Sequence, residues 1–142
     1  MEDLDYKWNY YDYLRIIPAI IFAGIIFYFS SLSNPYPVGG PPGPPRVLKL
    51  EVNINDILHI CEYALLSFLI AFGFSGKVRS VYLILITIIY AILDEVHQYF
   101  VPNRYFSFYD ILLDSIGVIL GFLFYIILTN LKKRLRKETN EV

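Results

Sequence analysis

Charge and cysteine are both scarce in this chain of 142 residues. Charged residues make up 18% of it, and the formal net charge is −1. The lack of a strong overall charge of either sign argues against nucleic acid as a partner. The single cysteine, Cys61, excludes an internal disulfide and a zinc site built from several cysteines.

Hydrophobic residues, in contrast, make up 56% of the chain, and its mean hydropathy is +0.50. A disordered chain needs low hydrophobicity and high charge, so disorder is excluded as the overall state. A soluble domain of this size has too small an interior to bury so much apolar surface. The composition therefore predicts a small integral membrane protein with a single domain.

Four apolar stretches are long enough to cross a membrane, since a spanning helix needs ~20 mostly apolar residues. They cover residues 14–31, 54–74, 78–100 and 106–130. Helices satisfy their own backbone hydrogen bonds in lipid, so we expect an all-α, four-helix membrane bundle. Six prolines and three glycines fall within residues 34–45, which predicts an irregular loop between the first two helices.

Basic residues indicate how the chain is oriented. Nine of the twelve Lys and Arg residues lie in the N-terminal segment, the turn after the second span and the tail of residues 131–142. Cytoplasmic segments are enriched in Lys and Arg, so we expect both termini in the cytoplasm and the Pro-rich loop outside the cell. The basic tail either anchors this topology or binds anionic lipid.

Ionisable side chains within or beside the spans, together with the other polar side chains near them, are the most informative residues, because each is costly when it faces lipid. At 100° per residue, most of them share a face of their helix, and all lie toward the predicted outer end. The set consists of Ser30, Ser31, Asp56, His59, Glu62, Tyr63, Asp94, Glu95, His97, Gln98, Arg104, Asp110 and Asp114. We expect them to form one outward-facing polar site.

Charge pairing within this set is one interpretation. Arg104 with Asp110 or Glu95, and His59 with Asp94, are the candidate pairs. The carboxylates outnumber the cations, so pairing leaves some carboxylates protonated, hydrated or bound to a cation.

The fourth span contains a separate motif, G-x-x-x-G. It is formed by Gly117 and Gly121, and it predicts a close approach between two helices.

The run D-E-V-H-Q-Y-F-V-P-N-R at residues 94–104 resembles the VanZ-like family. Further marks of this resemblance, which covers about residues 29–121, are Ser30-Ser31, His59-x-x-x-Tyr63, Asp110, Asp114, Gly117 and Gly121. It implies a small bacterial or archaeal membrane protein of the cell envelope, and the family's namesake is associated with resistance to the glycopeptide teicoplanin. The chain departs from the family pattern at three positions, where Lys, Gly and Asn are usual: Asp56, Asn103 and Asp114.

Several functions remain open at this point. The first is a non-enzymatic protein that binds a lipid headgroup, a cell-wall precursor or an amphiphilic, glycopeptide-type compound. Its expected binding residues are Ser31, His59, Tyr63, Asp94, Glu95, Gln98, Arg104, Asp110 and Asp114. Membrane lipid is the expected partner, and a homo-oligomer is compatible with the sequence.

The second is a membrane enzyme acting on a lipid-linked substrate. Its catalytic candidates are His59, Asp94 and Glu95. The residue types that bind zinc, magnesium or manganese occur at His59, Asp94, His97, Asp110 and Asp114. The sequence identifies no cofactor. A proton-coupled carrier and a structural scaffold are the remaining alternatives.

Overall fold

The computed structural model describes residues 8–33 and 54–140. They form four helices: α1 (Tyr10–Ser30), α2 (Ile54–Gly73), α3 (Ser80–Tyr99) and α4 (Phe108–Asn140). Each helix is long and apolar enough to cross a membrane, which confirms the predicted all-α, four-helix membrane bundle. The predicted Pro-rich loop, residues 34–45, lies outside the described residues.

Helix ends differ from the predicted spans where polar side chains form caps. The helix α1 begins at Tyr10, four residues before the apolar stretch, because Asn9 and Asp12 form a reciprocal capping box. Near the start of α4, the Ser107 hydroxyl accepts a hydrogen bond from the Asp110 backbone N–H. Apolar content alone does not detect such caps.

The helix α4 is much longer than the predicted span. It continues through Asn140 and contains 33 residues, so the described part of the basic tail is helical. At 1.5 Å per residue the helix is about 50 Å long, against a hydrocarbon core of ~30 Å. The basic last turns therefore extend beyond the hydrocarbon core.

The tightest contact in the bundle is between α2 and α4. A Cβ atom on Gly117 would overlap the Ile60 carbonyl oxygen, and one on Gly121 would overlap the Ala64 carbonyl oxygen. The predicted close approach at the G-x-x-x-G motif is confirmed. Around this contact the buried core includes Ile26, Tyr63, Leu66, Ala91 and Val118.

The outer surface of the bundle is mostly apolar. Large side chains such as Ile20, Leu93, Phe124 and Ile127 are more than half exposed. An apolar surface this extensive is unstable in water but stable against lipid tails. The polar groups are instead concentrated inside the bundle and at its two ends.

The two ends differ in character. The "site end" comprises the last turn of α1, the start of α2, the end of α3 and the start of α4. The "basic end" comprises the opposite termini of these helices, with the turn between α2 and α3. At the basic end, Lys77 forms a buried ion pair with Asp12 and lies 4.8 Å from the centre of the Trp8 ring.

Candidate functional site

A narrow polar cavity opens at the site end between α1, α2 and α3. Its empty volume, counting the open mouth, is about 280 Å³. The lining residues are Ile26, Phe29, Ser30, His59, Glu62, Tyr63, Asp94, Gln98 and Arg104. Seven of them belong to the polar set that was expected to form one site, and five of these seven, His59, Tyr63, Asp94, Gln98 and Arg104, were also expected binding residues.

A chain of hydrogen bonds forms one side of this cavity. The Ser30 hydroxyl donates to Asp94 Oδ1 at 2.6 Å, and Gln98 Nε2 donates to Asp94 Oδ2 at 2.8 Å. Arg104 in turn donates from Nη2 to Gln98 Oε1. Asp94 is 6% exposed, and these donors replace the water that its carboxylate would otherwise need. This chain of hydrogen bonds joins α1, α3 and the turn after α3.

The second link joins α2 to α4. His59 Nδ1 lies 2.9 Å from Asp114 Oδ1, and Asp114 is 2% exposed. The structure thus pairs His59 with Asp114, and not with the candidate partner Asp94. The G-x-x-x-G contact brings α4 against the face of α2 that carries His59, whereas Asp94 is already held by donors from α1 and its own helix.

Arg104 also has a different partner from those expected. It bonds to Gln98, and Glu95 Oε1 instead accepts the backbone N–H of Ser107 at 2.6 Å. The reason is the path of the chain between α3 and α4, which folds Ser107 over Glu95 and directs Arg104 toward the cavity. The second carboxylate oxygen of Glu95, which is 1% exposed, has no hydrogen-bond partner within the described ranges.

Tyr63 is the most unusual member of the lining. It is 1% exposed, and its hydroxyl has no hydrogen-bond partner among residues 8–33 and 54–140. Buried hydroxyl groups are rarely left unpaired, because desolvation costs about 1–3 kcal/mol without a compensating bond. An unpaired hydroxyl in a polar cavity is a donor available to a ligand or to water.

The remaining expected residues lie around the cavity and not in its lining. Ser31 is exposed, and its hydroxyl lies 3.1 Å from His97 Nε2, beside the Phe27 ring. Asp110 is half-buried at the start of α4, and Asp114 lies behind His59. Ser31 and its neighbour Ser30 are 100° apart on the helix, which directs only Ser30 into the cavity.

Four lining residues were not among the expected binding residues: the apolar Ile26 and Phe29, and the polar Ser30 and Glu62. Glu62 follows His59 by three residues, a spacing that puts both near one face of a helix. This spacing is the feature of the sequence that could have assigned Glu62 to the binding residues.

The turn after α3 contains a left-handed residue. Asn103 has φ 62°, and the Arg104 backbone N–H closes the turn on the Val101 carbonyl at 3.1 Å. Glycine and asparagine adopt this conformation at the lowest cost. Asn103 thus preserves the turn that glycine would form, and it holds Arg104 at the cavity.

The proposed metal ligands are distributed over separate contacts. His59 bonds to Asp114, Asp94 to Ser30 and Gln98, and His97 to Ser31. In the described part of the chain, no three His, Cys, Asp or Glu side chains form a group that could hold a metal ion. The cavity instead offers a cationic guanidinium, an imidazole, a hydroxyl and carboxylates.

The chain was also compared with known proteins. The model of the VanZ/LLP1 family matches residues 7–129. No curated protein and no solved structure matches the chain. The family match includes α1, α2 and α3, α4 as far as Thr129, and every residue that lines the cavity.

Proposed function

Because the chain belongs to the VanZ/LLP1 family, we propose that it is a multi-pass protein of a prokaryotic cell membrane that binds the polar headgroup of a lipid. The ligand enters the cavity at the site end, between α1, α2 and α3. Its apolar part stays in the surrounding membrane, against the exposed apolar faces of the helices.

The observation that carries this proposal is the unpaired hydroxyl of Tyr63. The hydroxyl lies beside the polar chain from Ser30 to Arg104, so a ligand in the cavity has several partners within one small space. Arg104 uses one of its guanidinium donors on Gln98 and has five in total. Arg recognises phosphate and carboxylate through paired donors, which favours an anionic group.

Cavity size favours a headgroup over a larger ligand. Binding sites for drug-sized molecules are about 300–1,000 Å³, whereas the interior of this cavity measures only about 10 Å³, the space of about one water molecule. A ligand can therefore insert no more than a single polar group. A cell-wall precursor or a teicoplanin-like glycopeptide could insert only one charged or hydroxyl-bearing end. Under this proposal, a role in the cell envelope or in antibiotic resistance depends on the insertion of only that one end of the compound.

The site end faces outward in this proposal. The basic end carries Arg15, Lys77, Arg79 and the cations of α4, and the positive-inside rule assigns such an end to the cytoplasm. Both termini would then be cytoplasmic. The cavity would meet the outer leaflet, where envelope lipids and lipid-linked precursors are accessible.

Two tyrosines provide a matched test of binding. Tyr63→Phe removes a hydroxyl that has no hydrogen-bond partner among the described residues, so we expect unchanged stability. We expect it to weaken binding of a phospholipid headgroup about ten-fold, because one hydrogen bond to a charged group is lost. Tyr90→Phe removes a hydroxyl that donates to the Ala23 carbonyl at 2.7 Å. We expect it to lower stability by about 1 kcal/mol with binding retained.

The measurement is native mass spectrometry of the protein released from nanodiscs that contain phosphatidylglycerol, phosphatidylethanolamine or phosphatidylcholine. Thermal unfolding of each variant runs in parallel. Equal lipid retention by wild type and Tyr63→Phe would contradict the proposal. So would a loss of stability in Tyr63→Phe as large as that in Tyr90→Phe, because the hydroxyl would then have an internal role.

One observation favours a second candidate, a membrane enzyme. The pair of His59 and buried Asp114 has the arrangement in which a carboxylate orients an imidazole through Nδ1. The other ring nitrogen, Nε2, is then available to accept a proton from water or a substrate hydroxyl. His59 lines the cavity, so this base would act on a bound headgroup.

The variant Asp114→Asn distinguishes the two candidates. It keeps the size of the side chain and removes its charge, so a binding protein should retain lipid within about two-fold while an enzyme loses most of its turnover. Release of headgroup from vesicle phospholipids, followed by mass spectrometry over hours, measures turnover. No release by the wild-type protein from any of the three phospholipids would argue against the enzyme.

A further inference from the structure

A second concave surface lies at the basic end, between α1, α2 and α4. This "basic groove" has about 900 Å³ of empty space, counting its open mouth. Its floor is made mainly of aromatic and aliphatic side chains, and four cations surround it. The lining residues are Arg15, Phe68, Phe72, Ser75, Tyr125, Leu128, Thr129, Lys132, Lys133 and Arg136.

Specific contacts shape this groove. The Arg15 guanidinium lies over the Phe72 ring, 4.7 Å from its centre, which holds the cation at the edge of the apolar floor. The Tyr125 hydroxyl donates to Ser75 Oγ at 2.5 Å and ties α4 to the turn after α2. Lys132 and Arg136 follow on the same face of α4, at helical spacing.

The charge of the groove is one-sided. None of its described lining residues is Asp or Glu, and Asp12, in the same part of α1, is paired with Lys77. Four cations without a lining carboxylate attract an anion. They lie where α4 leaves the apolar region, which is the depth at which phospholipid phosphates occur.

An apolar path leads from this groove toward the middle of the membrane. Phe68 lines the basic groove and also a neighbouring apolar groove, which has about 760 Å³ of empty space counting its open mouth. The other lining residues of that groove are Ala64, Leu65, Leu120, Gly121 and Phe124. The two grooves together offer a charged place for a phosphate and an adjoining apolar surface for a hydrocarbon chain.

We propose that the basic groove is a binding site for an anionic phospholipid, with the phosphate among the cations and one acyl chain along the path past Phe68. The two arginines supply planar donors that suit phosphate oxygens, and the lysines add positive charge. A soluble phosphate would use the cations but not the apolar floor. This site is at the opposite end of the bundle from the cavity of the proposed function and does not depend on it.

A pair of arginines on α4 tests the proposal. Arg136 lines the groove, whereas Arg134 does not, and both are exposed. Arg136→Gln and Arg134→Gln change the net charge equally. One basic side chain near an anionic surface contributes about five-fold to binding, so we expect Arg136→Gln to weaken retention of phosphatidylglycerol about five-fold and Arg134→Gln less than two-fold.

Native mass spectrometry measures how much lipid each variant retains. Phosphatidylglycerol is titrated, and phosphatidylcholine serves as the lipid without net charge. Millimolar inorganic phosphate is added as a competitor. Weaker retention in Arg136→Gln alone, selectivity for phosphatidylglycerol and no displacement by phosphate support the site. Equal effects of the two substitutions, equal retention of phosphatidylcholine, or displacement by phosphate would each overturn it. Both substitutions are compared in a Tyr63→Phe background, where retention at the cavity of the site end is weakened, so the difference between them reports on the basic groove.

Discussion

At the scale of single residues, Ser30 and Ser31 show how one step along a helix separates two roles. Ser30 is buried and donates to the Asp94 carboxylate. Ser31 is exposed and lies beside His97. We expect Ser30→Ala to lower the free energy of unfolding by about 1.5–3 kcal/mol, because a buried carboxylate loses a donor. We expect Ser31→Ala to change it by about 0.5 kcal/mol or less.

Unfolding in mixed detergent micelles, followed by circular dichroism, measures both variants under one condition. Each variant loses the same hydroxyl group, one at the last residue of α1 and one at the residue that follows it, so Ser31→Ala controls for the loss itself. Equal effects of the two substitutions on the free energy of unfolding would mean that the hydrogen bond from Ser30 does not stabilise the buried Asp94 carboxylate.

Asn103 is a second informative residue, because its left-handed backbone determines where Arg104 lies. We expect Asn103→Gly to be tolerated and Asn103→Val to cost at least about 1–2 kcal/mol, since a β-branched side chain is poorly accommodated at positive φ. Asn103→Val should also weaken headgroup binding, because Arg104 moves with the turn. Thermal unfolding and lipid retention test the two effects. Tolerance of valine in both assays would contradict this account of the turn.

At the scale of elements, the contact of α2 with α4 determines the bundle. Gly117 and Gly121 face backbone atoms of Ile60 and Ala64, which cannot move aside as a flexible side chain can. We expect Gly121→Ala to separate the two helices and cost about 1–3 kcal/mol. The same separation would lengthen the bond between His59 and Asp114, so the site would be altered together with the fold.

The control for this prediction is Gly24→Ala in α1. A Cβ atom there would meet no atom of another described element within 4 Å, and alanine favours the helix, so stability should be unchanged or slightly higher. Unfolding in mixed micelles gives the comparison. A loss of stability in Gly24→Ala equal to that in Gly121→Ala would show that glycine in the helix, and not the close approach, was responsible.

Helix ends show where sequence analysis is weakest at this scale. Four apolar stretches predicted four helices, because spanning a bilayer requires a long apolar run, and that is a local property of the chain. The capping box of Asn9 and Asp12 extends α1 beyond its stretch, and the polar last turns of α4 remain helical through Asn140. Mean hydropathy detects neither the capping box nor the helical structure of the polar last turns.

At the scale of the whole molecule, an even number of antiparallel helices brings the start of α1 and the end of α4 to the same end. The proposed orientation puts this end in the cytoplasm. In a Cys61→Ala background, we expect Tyr105→Cys at the site end to react with a membrane-impermeant maleimide in intact cells. We expect Asn140→Cys to react only after the membrane is permeabilised. The opposite pattern would reverse the orientation and remove the outward-facing site.

The sequence by itself determined the four spans, the helix faces that carry polar residues, and the clustering of these residues toward one end. These properties follow from the length of apolar runs and from 100° per residue along a helix, so no partner helix is needed to predict them. Seven of the nine cavity-lining residues, including Tyr63 and Arg104, are polar groups that this reasoning identified.

Only the tertiary structure decided which of these groups meet. It pairs His59 with Asp114, joins Arg104 to Gln98, and leaves the Tyr63 hydroxyl without a partner in the described ranges. It also brings residues of α1, α2 and α4 together as the basic groove. Such contacts depend on how closely two helices approach and on how a turn folds back. Both are properties of the packed bundle, because residues far apart in the chain set them jointly.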